Sequence, residues 1–201
     1  MDNIIFGSSN KAFNDEFSKL MTDRFEMSMM GELRFFLGFE IKQLREGTFI
    51  NQAKYIQDML KRFKMTDLNG AATPMQTKCH LEPNPHGKDV DQKVYRSMIG
   101  SLLYLCASRP DIVLSIGVCA RYQAAPKDSH MQAVNRILRY LVYTPRFGLW
   151  YPKSSNFTLT GYSDSDWAGC KDDRKSTSGW KVLGDLFFKE AELYIFIINR
   201  T

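Results

Sequence analysis

Two aspartates, Asp164 and Asp166, sit where the run Leu159-Thr160-Gly161-Tyr162 gives way to Ser, Ala and Gly. A strand that delivers a carboxylate at its end, with a second acid two residues on, suits a hard divalent ion such as Mg²⁺. Phosphoryl chemistry with two metals needs several such carboxylates. Two acids do not complete that site, and acids at strand ends are more often turn formers. Asp172-Asp173-Arg174-Lys175 reads as a solvated turn on the same grounds. Cys79-His80 with His86 offers metal-ligating types, but only those three, so an ordinary surface is the stronger reading. A basic group forms a second set: Lys54, Lys61 and Arg62, then Arg136 and Arg139, interleaved with Tyr55 and Tyr140. These types meet phosphates and bases, although each is individually more often surface packing. No P-loop, GxGxxG, GxSxG or HExxH pattern occurs.

The elements that must position these residues follow from periodicity. Ile4-Ile5-Phe6 before Gly7-Ser8-Ser9-Asn10 predicts a short strand, a turn and an Asn10 helix cap. Phe13, Phe17, Leu20, Met21 and Phe25 predict the apolar face of that helix. Leu33, Phe35, Leu37, Phe39 and Ile41 alternate as one strand. Arg45-Glu46-Gly47 turns it back into a second arm over residues 48–52. A helix follows, with Tyr55, Ile56, Met59, Leu60 and Phe63 inward and Lys54, Lys61, Arg62 and Lys64 outward. Residues 66–92, with Pro74, Pro83 and Pro85, read as an extended linker. Helix resumes at Val94, with Met98, Leu102 and Leu105 on one face, until Arg109-Pro110-Asp111 breaks it. Ile112, Ile116 and Ala120 carry the next helix. A third, capped by Asp128 or Ser129, carries Val134, Ile137, Leu138 and Leu141, with Arg136, Arg139 and Arg146 on or near its exposed side. From Phe147 onward the pattern is strand-like.

The chain has 201 residues, 44% hydrophobic and 24% charged, with a net charge of +5. Those values exclude a disordered tail, a collagen-like repeat and a disulfide-stapled miniprotein. Residues 156–192 carry a net of −2, which leaves +7 on the remainder. A basic body with an acidic segment suits a polyanion binder with a cation site, and equally a solvated surface of mixed sign. No run approaches the roughly 18 apolar residues of a membrane span, and the start lacks the features of a secretory signal. Cys79, Cys106, Cys119 and Cys170 form no CxxC pair and read as reduced thiols, so the expected location is intracellular, cytoplasmic or nuclear.

Four segments carry a resemblance to one family. YSDSDWAGCKDDRKSTSGW (residues 162–180) resembles the opening of the ribonuclease H domain of copia-type LTR-retrotransposon Pol polyproteins. YRSMIGSLLYLCASRPDI (95–112) resembles the segment between reverse transcriptase and ribonuclease H. GELRFFLGFEI (31–41) resembles the strand after the polymerase active site, and HMQAVNRILRYLVYTPRFGLWY (130–151) continues the match. Together they cover roughly residues 2–184 in the family's order and spacing.

The resemblance implies roles. The family's Tyr-x-Asp-Asp hairpin holds catalytic Mg²⁺ just before the strand at Ile4; here Asp2 matches one carboxylate and Asn3 stands at the other. Phe36-Leu37-Gly38 and the hairpin to Gln52 resemble the element that contacts the primer strand, and the helix from Gln52 would begin the thumb. Asp164 matches the first metal-binding acid of the ribonuclease H site, and the role of Asp166 stays open. The family's later acids, one within Ser-Thr-Glu-Ala-Glu-Tyr, have no counterparts, because after Gly184 the chain departs into DLFFKEAELYIFIINRT. Glu190 and Glu192 stand in no matching context. The run 194–198 reads as a sticky strand or an out-of-frame stretch.

The expected fold is therefore α/β (α+β). Residues 1–65 form the palm end and thumb start, 66–92 the linker, and 93–150 thumb or connection helices. Residues 151–184 supply the first strands of a ribonuclease H-like sheet, poorly stable with an open edge, and 185–201 a tail outside the family. The expected function is that of a Pol fragment truncated at both ends, inactive alone. Its family couples RNA-directed DNA polymerisation to cleavage of RNA–DNA hybrids, with Mg²⁺ as cofactor and a template–primer or hybrid as partner. The alternative is a non-catalytic nucleic-acid-binding module gripping through Lys54, Lys61, Arg62, Arg136 and Arg139. A metal nuclease centred on Asp164 and Asp166 ranks last.

Overall fold

The computed structural model describes residues 3–8, 10–76, 81–153, 160–165, 178–183 and 194–200; residue 3 and the last three segments are described by backbone and strand register. In chain order the elements are β1 (Asn3–Ser8), α1 (Lys11–Arg24), β2 (Met27–Glu32), β3 (Phe35–Phe36), β4 (Phe39–Gln43), β5 (Gly47–Asn51), α2 (Ala53–Arg62), α3 (Gln92–Leu105), α4 (Val113–Ala120), α5 (Asp128–Tyr143), β6 (Gly148–Pro152), β7 (Thr160–Ser165), β8 (Ser178–Leu183) and β9 (Tyr194–Arg200). They form a mixed α/β protein of two compact units. One comprises Met1–Ile50, Trp150–Thr158 and Asp185–Thr201, the other Asn51–Leu149 and Leu159–Gly184.

In the first unit, β1 and β2 flank β9 in a three-stranded sheet. The α1 cap is the expected one: Asn10 Oδ1 accepts from the Ala12 N–H at 3.0 Å, satisfying a donor that the first helical turn leaves open. The buried face of α1 is narrower than its five apolar residues suggest. Phe17 packs on Phe6, ring centres 4.8 Å apart, while Phe13 and Phe25 stay 61% and 57% exposed. The stripe that meets the sheet follows Asn14, Phe17 and Met21, spaced three and four apart. Phe13 and Leu20 lie about 100° to its side. Asn14 is buried, and its Nδ2 finds no hydrogen-bond partner among the described residues.

The alternation over residues 33–41 is a hairpin and not one strand. Phe35 pairs with Glu40 and Phe36 with Phe39, and Leu37 and Gly38 turn the chain with φ of 46° and 78°. Positive φ at both central positions is the primed two-residue turn, whose twist matches its strands. Two turn residues preserve a period of two, so alternation alone hides the reversal. Strands β3, β4, β5 and β6 form a four-stranded antiparallel sheet in that order.

The second unit is helical at its core. Ile56, Ile99, Leu102, Leu105, Ile112, Ile116, Ile137, Leu138 and Leu141 are completely buried. Each such side chain contributes roughly 1.5–3 kcal/mol of burial. The faces expected for α2, α3 and α5 are the faces that meet here, with Tyr55 and Phe63 half-buried at the margin. Asp91 caps α3, accepting from the Lys93 and Val94 N–H groups at 2.8 and 3.1 Å. Tyr95 is buried among the helices and donates to the Cys119 carbonyl at 2.8 Å, and burial holds its hydroxyl protonated well beyond the usual range. Among the described residues Cys106 and Cys119 form no disulfide. The α5 cap differs from expectation. The helix begins at Asp128, and the ring of His130 reaches back so that Nδ1 accepts from the Lys127 N–H at 2.9 Å. In the same unit β7 and β8 pair as an antiparallel hairpin, from Thr160 opposite Leu183 to Ser165 opposite Ser178.

Candidate acid positions and nucleic-acid interface

Asp164 stands in β7 at the register position opposite Gly179. Asp2 lies outside the described residues, as do Asp166, Asp172, Asp173, Cys79, His80, Glu190 and Glu192. The position beside Asp2 is described: Asn3 opens β1 opposite Asn199, and the next residue of β9, Arg200, stands opposite Met27 of β2. The register positions described at that end of the three-stranded sheet are therefore Asn3, Met27, Ser28, Asn199 and Arg200, while the neighbouring Asp2 lies outside the described residues. Among the described residues, no group of three or more His, Cys, Asp or Glu could hold a metal ion.

The five basic positions separate into two sets. Lys54, Lys61 and Arg62 project from the exposed face of α2. Arg62 Nη2 donates to Ser97 Oγ at 2.9 Å and its guanidinium lies 5.3 Å from the Phe63 ring centre, which fixes the outer end of that face. Arg136 and Arg139 are half-buried and turned to another task. Arg139 Nε donates to the Asn69 carbonyl at 2.7 Å, the Arg139 carbonyl accepts from the Ala71 N–H at 3.1 Å, and Arg136 Nη2 donates to Thr73 Oγ1 at 2.9 Å.

These bonds belong to a strap. The segment between α2 and α3 has little regular structure, yet its described residues are tied along α5 and the turn before it, in the direction opposite to the helix. After Asn69, Ala71 and Thr73, the Leu81 carbonyl accepts from Tyr122 Oη at 2.6 Å and the Glu82 carbonyl from His130 Nε2 at 2.8 Å. Asn84 Nδ2 donates to Ser129 Oγ, Lys88 accepts from the Asp128 N–H, and Asp89 pairs with Lys127 Nζ at 2.6 Å. His130 therefore ties the segment at Glu82 to the start of α5. Its Nδ1 accepts from Lys127, so Nε2 carries the proton given to Glu82, and its ring stacks on Tyr122 at 4.0 Å.

The largest polar side chain in the core is one that periodicity passes over. Arg109 is 1% exposed and uses its whole fork. Nε and Nη2 meet Asp111, Nη1 meets the Thr144 carbonyl at 2.8 Å, and Nη2 also meets Thr144 Oγ1 at 2.8 Å. The guanidinium lies 5.5 Å from the ring centres of both Tyr140 and Phe147, and Tyr140 Oη donates to Asp111 Oδ2. Partial burial alone would raise the Asp111 carboxyl. The bonds and charge of Arg109, with the Tyr140 hydroxyl, outweigh it and hold the group below its usual range. Burial, and then the Asp111 carboxylate, push the Tyr140 hydroxyl up. In the sequence Arg109-Pro110-Asp111 signalled only a helix break. The signal available was an Arg between two apolar helices, which must be either exposed or paired. These groups close on one another, so the cluster is a clamp between the α3–α4 turn and the end of α5 and not a reaction centre.

Comparison with known proteins places these elements. Residues 1–77 match the family described as reverse transcriptase (RNA-dependent DNA polymerase). Over 179 residues the chain is 33% identical to an uncharacterized mitochondrial protein of Arabidopsis thaliana, covering 89% of this chain and 74% of that one. It is 39% identical over 162 residues to the Retrovirus-related Pol polyprotein from transposon RE1 of the same plant. The chain belongs to the copia-type Pol reverse transcriptase family. The RE1 match covers 81% of this chain and 11% of the RE1 polyprotein. The Pol polyprotein from transposon RE2 of Arabidopsis thaliana is 35% identical over 182 residues, 90% of this chain and 12% of that polyprotein. The chain thus spans about a tenth of the length of these Pol relatives. No solved structure matches it. Among the described residues, no helix is long and apolar enough to cross a membrane.

Proposed function

We propose that the chain is the stretch of a copia-type Pol polyprotein running from the end of the palm, through thumb and connection, into the opening of the ribonuclease H domain. On this reading these 201 residues alone neither extend a primer nor cut a hybrid. The observation that carries it is the end of the sheet at Asn3, where a polymerase needs carboxylates. Asn3 is neutral, and its register partner is Asn199. With Asn3 neutral, Asp2 is the one acid of the family motif that remains there, and a hard divalent cation in phosphoryl chemistry needs several. Magnesium is the metal of the family's chemistry. The described residues do not make a site for it, and no step through it is assigned to this chain.

In this reading β7 and β8 are the first hairpin of a ribonuclease H-like sheet, and Asp164 is its first acid, without the later acids that would complete a two-metal site. The β3–β4 hairpin touches the primer strand. Lys54, Lys61 and Arg62 on α2 meet phosphates of a template–primer, while Arg136 and Arg139 hold the strap. The separate reading of a freestanding binding module gains no support of its own, because only one set of the basic residues faces outward.

The test is a pair of assays on the purified chain with Mg²⁺, extension of a primed RNA template and cleavage of a labelled RNA–DNA hybrid. The expected result is product no greater than in the protein-free blank for both. Hybrid cleavage that disappears in Asp164→Asn would overturn the reading of the ribonuclease H half.

A further inference from the structure

Arg109 and Arg136 present the same edge of the guanidinium, Nε with Nη2, and the two edges are filled differently. On Arg109 that edge meets both carboxylate oxygens of Asp111, at 2.9 and 2.7 Å. Two oxygens of one anion match the parallel N–H groups of the fork, which is what makes such pairs strong. On Arg136 the edge meets one neutral oxygen. Nη2 donates to Thr73 Oγ1 at 2.9 Å, while Nε, sealed from water, has no acceptor among the described residues. A single hydroxyl does not fill this edge, and a buried donor on a charged group is costly to leave open.

The charge is unbalanced as well. Arg139 lies three residues on, hence on the same face of α5, and its Nε donates to the uncharged carbonyl of Asn69. Among the described residues neither Arg136 nor Arg139 forms an ion pair. Thr73, which meets this face through Arg136, is exposed in an irregular stretch of the strap. Pro74 follows it and biases it away from helical backbone. The hydroxyl therefore sits on an open segment that an enzyme can take into its own cleft.

We infer that Thr73 is a phosphorylation site and that Arg136 and Arg139 receive the phosphate. The phosphoryl donor is ATP, held by a protein kinase of the class that requires proline after the acceptor residue. The bond from Thr73 Oγ1 to the γ-phosphorus forms, the bond from that phosphorus to the departing ADP breaks, and the hydroxyl proton passes to the kinase's base. The product carries about two negative charges and three acceptor oxygens. Two of those oxygens suit Nε and Nη2 of Arg136 as the Asp111 oxygens suit Arg109, and the charge falls beside Arg139. Residues 69, 71 and 73 are now tied to α5 by hydrogen bonds to uncharged acceptors. Phosphate on Thr73 replaces one of these with an ion pair and fastens this end of the strap.

Treatment of the full chain with a proline-directed serine/threonine kinase, Mg²⁺ and ATP tests this. Peptide mass mapping is expected to place a phosphate on Thr73. The modified chain is then expected to exchange the amides of residues 66–76 about tenfold more slowly than the unmodified chain, with residues 95–105 unchanged. Arg136→Lys keeps the charge and removes the fork, so it is expected to take the phosphate and to gain less than about threefold in protection. Thr73→Ser, which keeps the hydroxyl, is expected to behave as the parent does. The unmodified chain in inorganic phosphate is expected to exchange as it does in buffer. No phosphate on Thr73, exchange in the modified chain that is unchanged or faster, or an equal gain in Arg136→Lys would each overturn the proposal. Inorganic phosphate that protects the unmodified chain as well as the modification does would show a site for a free anion, and would overturn the assignment to Thr73.

Discussion

Arg109 presents Nε and Nη2 side by side to the two carboxylate oxygens of Asp111, at 2.9 and 2.7 Å, across the single residue Pro110. The proline sets the first turn of the short 3₁₀ helix Pro110–Ile112, and that turn brings the two side chains to the same side. Because the fork also takes the carbonyl and hydroxyl of Thr144, one guanidinium ties the α3–α4 connection to the end of α5.

The first prediction concerns acid stability. Asp111 is held below its unfolded pKa of about 3.9, so its contribution is present above that value and is lost as pH falls through the folded one. Urea unfolding at pH 7 is expected to show Asp111→Asn less stable than the parent by about 1–3 kcal/mol. That figure sits below the cost of breaking a sealed ion pair because Asp111 keeps 34% of its side chain in water. The difference is expected to shrink as pH falls through and below the usual carboxylate range. A difference that stays constant from pH 7 to pH 2.5 would show that the ion pair contributes nothing.

The β3–β4 turn gives the second. Leu37 is 68% exposed and holds φ at 46°, where a side chain other than Asn, Asp or Gly is strained. Leu37→Asn creates the pair of residues that the primed turn favours and is expected to raise stability by about 1 kcal/mol. Gly38→Val places a β-branched residue at φ 78° and is expected to lower it by more than that. Thermal unfolding of the three proteins side by side checks the ordering.

The strap gives the third. Arg139→Ala removes the bond to the Asn69 carbonyl, one of the three that attach that end of the segment. Limited proteolysis is expected to cut residues 66–76 several-fold faster in this variant, with the core helices still resistant. His130→Ala is expected to loosen the other end and to destabilise α5 by about 1–2 kcal/mol through loss of its cap. Equal cleavage rates in Arg139→Ala and the parent would show that the segment is held by other contacts.

Helix faces were legible where burial is one-sided. Ile56, Met59 and Leu60, and Val134, Ile137, Leu138 and Leu141, recur at helical spacing and are the residues that pack. Alternation failed over residues 33–41 because a two-residue turn keeps the period while reversing the chain. Spacing overstated α1 because a three-stranded sheet accepts only the stripe through Asn14 and Phe17. What spacing could not carry was pairing between distant residues: Arg109 with Thr144, Arg139 with Asn69, and β9 with β1 across most of the chain. Such contacts depend on topology and not on local sequence. For the acid positions the expectation comes from the family resemblance and not from the residues. It singled out Asp2 and Asp164, which the chemistry of lone carboxylates would have left as turn formers.

We propose that a polymerase site at this corner needs more carboxylates than Asp2 and one restored acid at position 3, so that no single substitution completes it. Extension of a primed RNA template with Mg²⁺, measured for the parent chain and for Asn3→Asp, tests it most directly. The Asp variant restores the second acid of the family motif beside Asp2, while its register partner remains Asn199. The account predicts no extension by either protein. Primer extension by Asn3→Asp, abolished by a further Asp2→Asn, would contradict it.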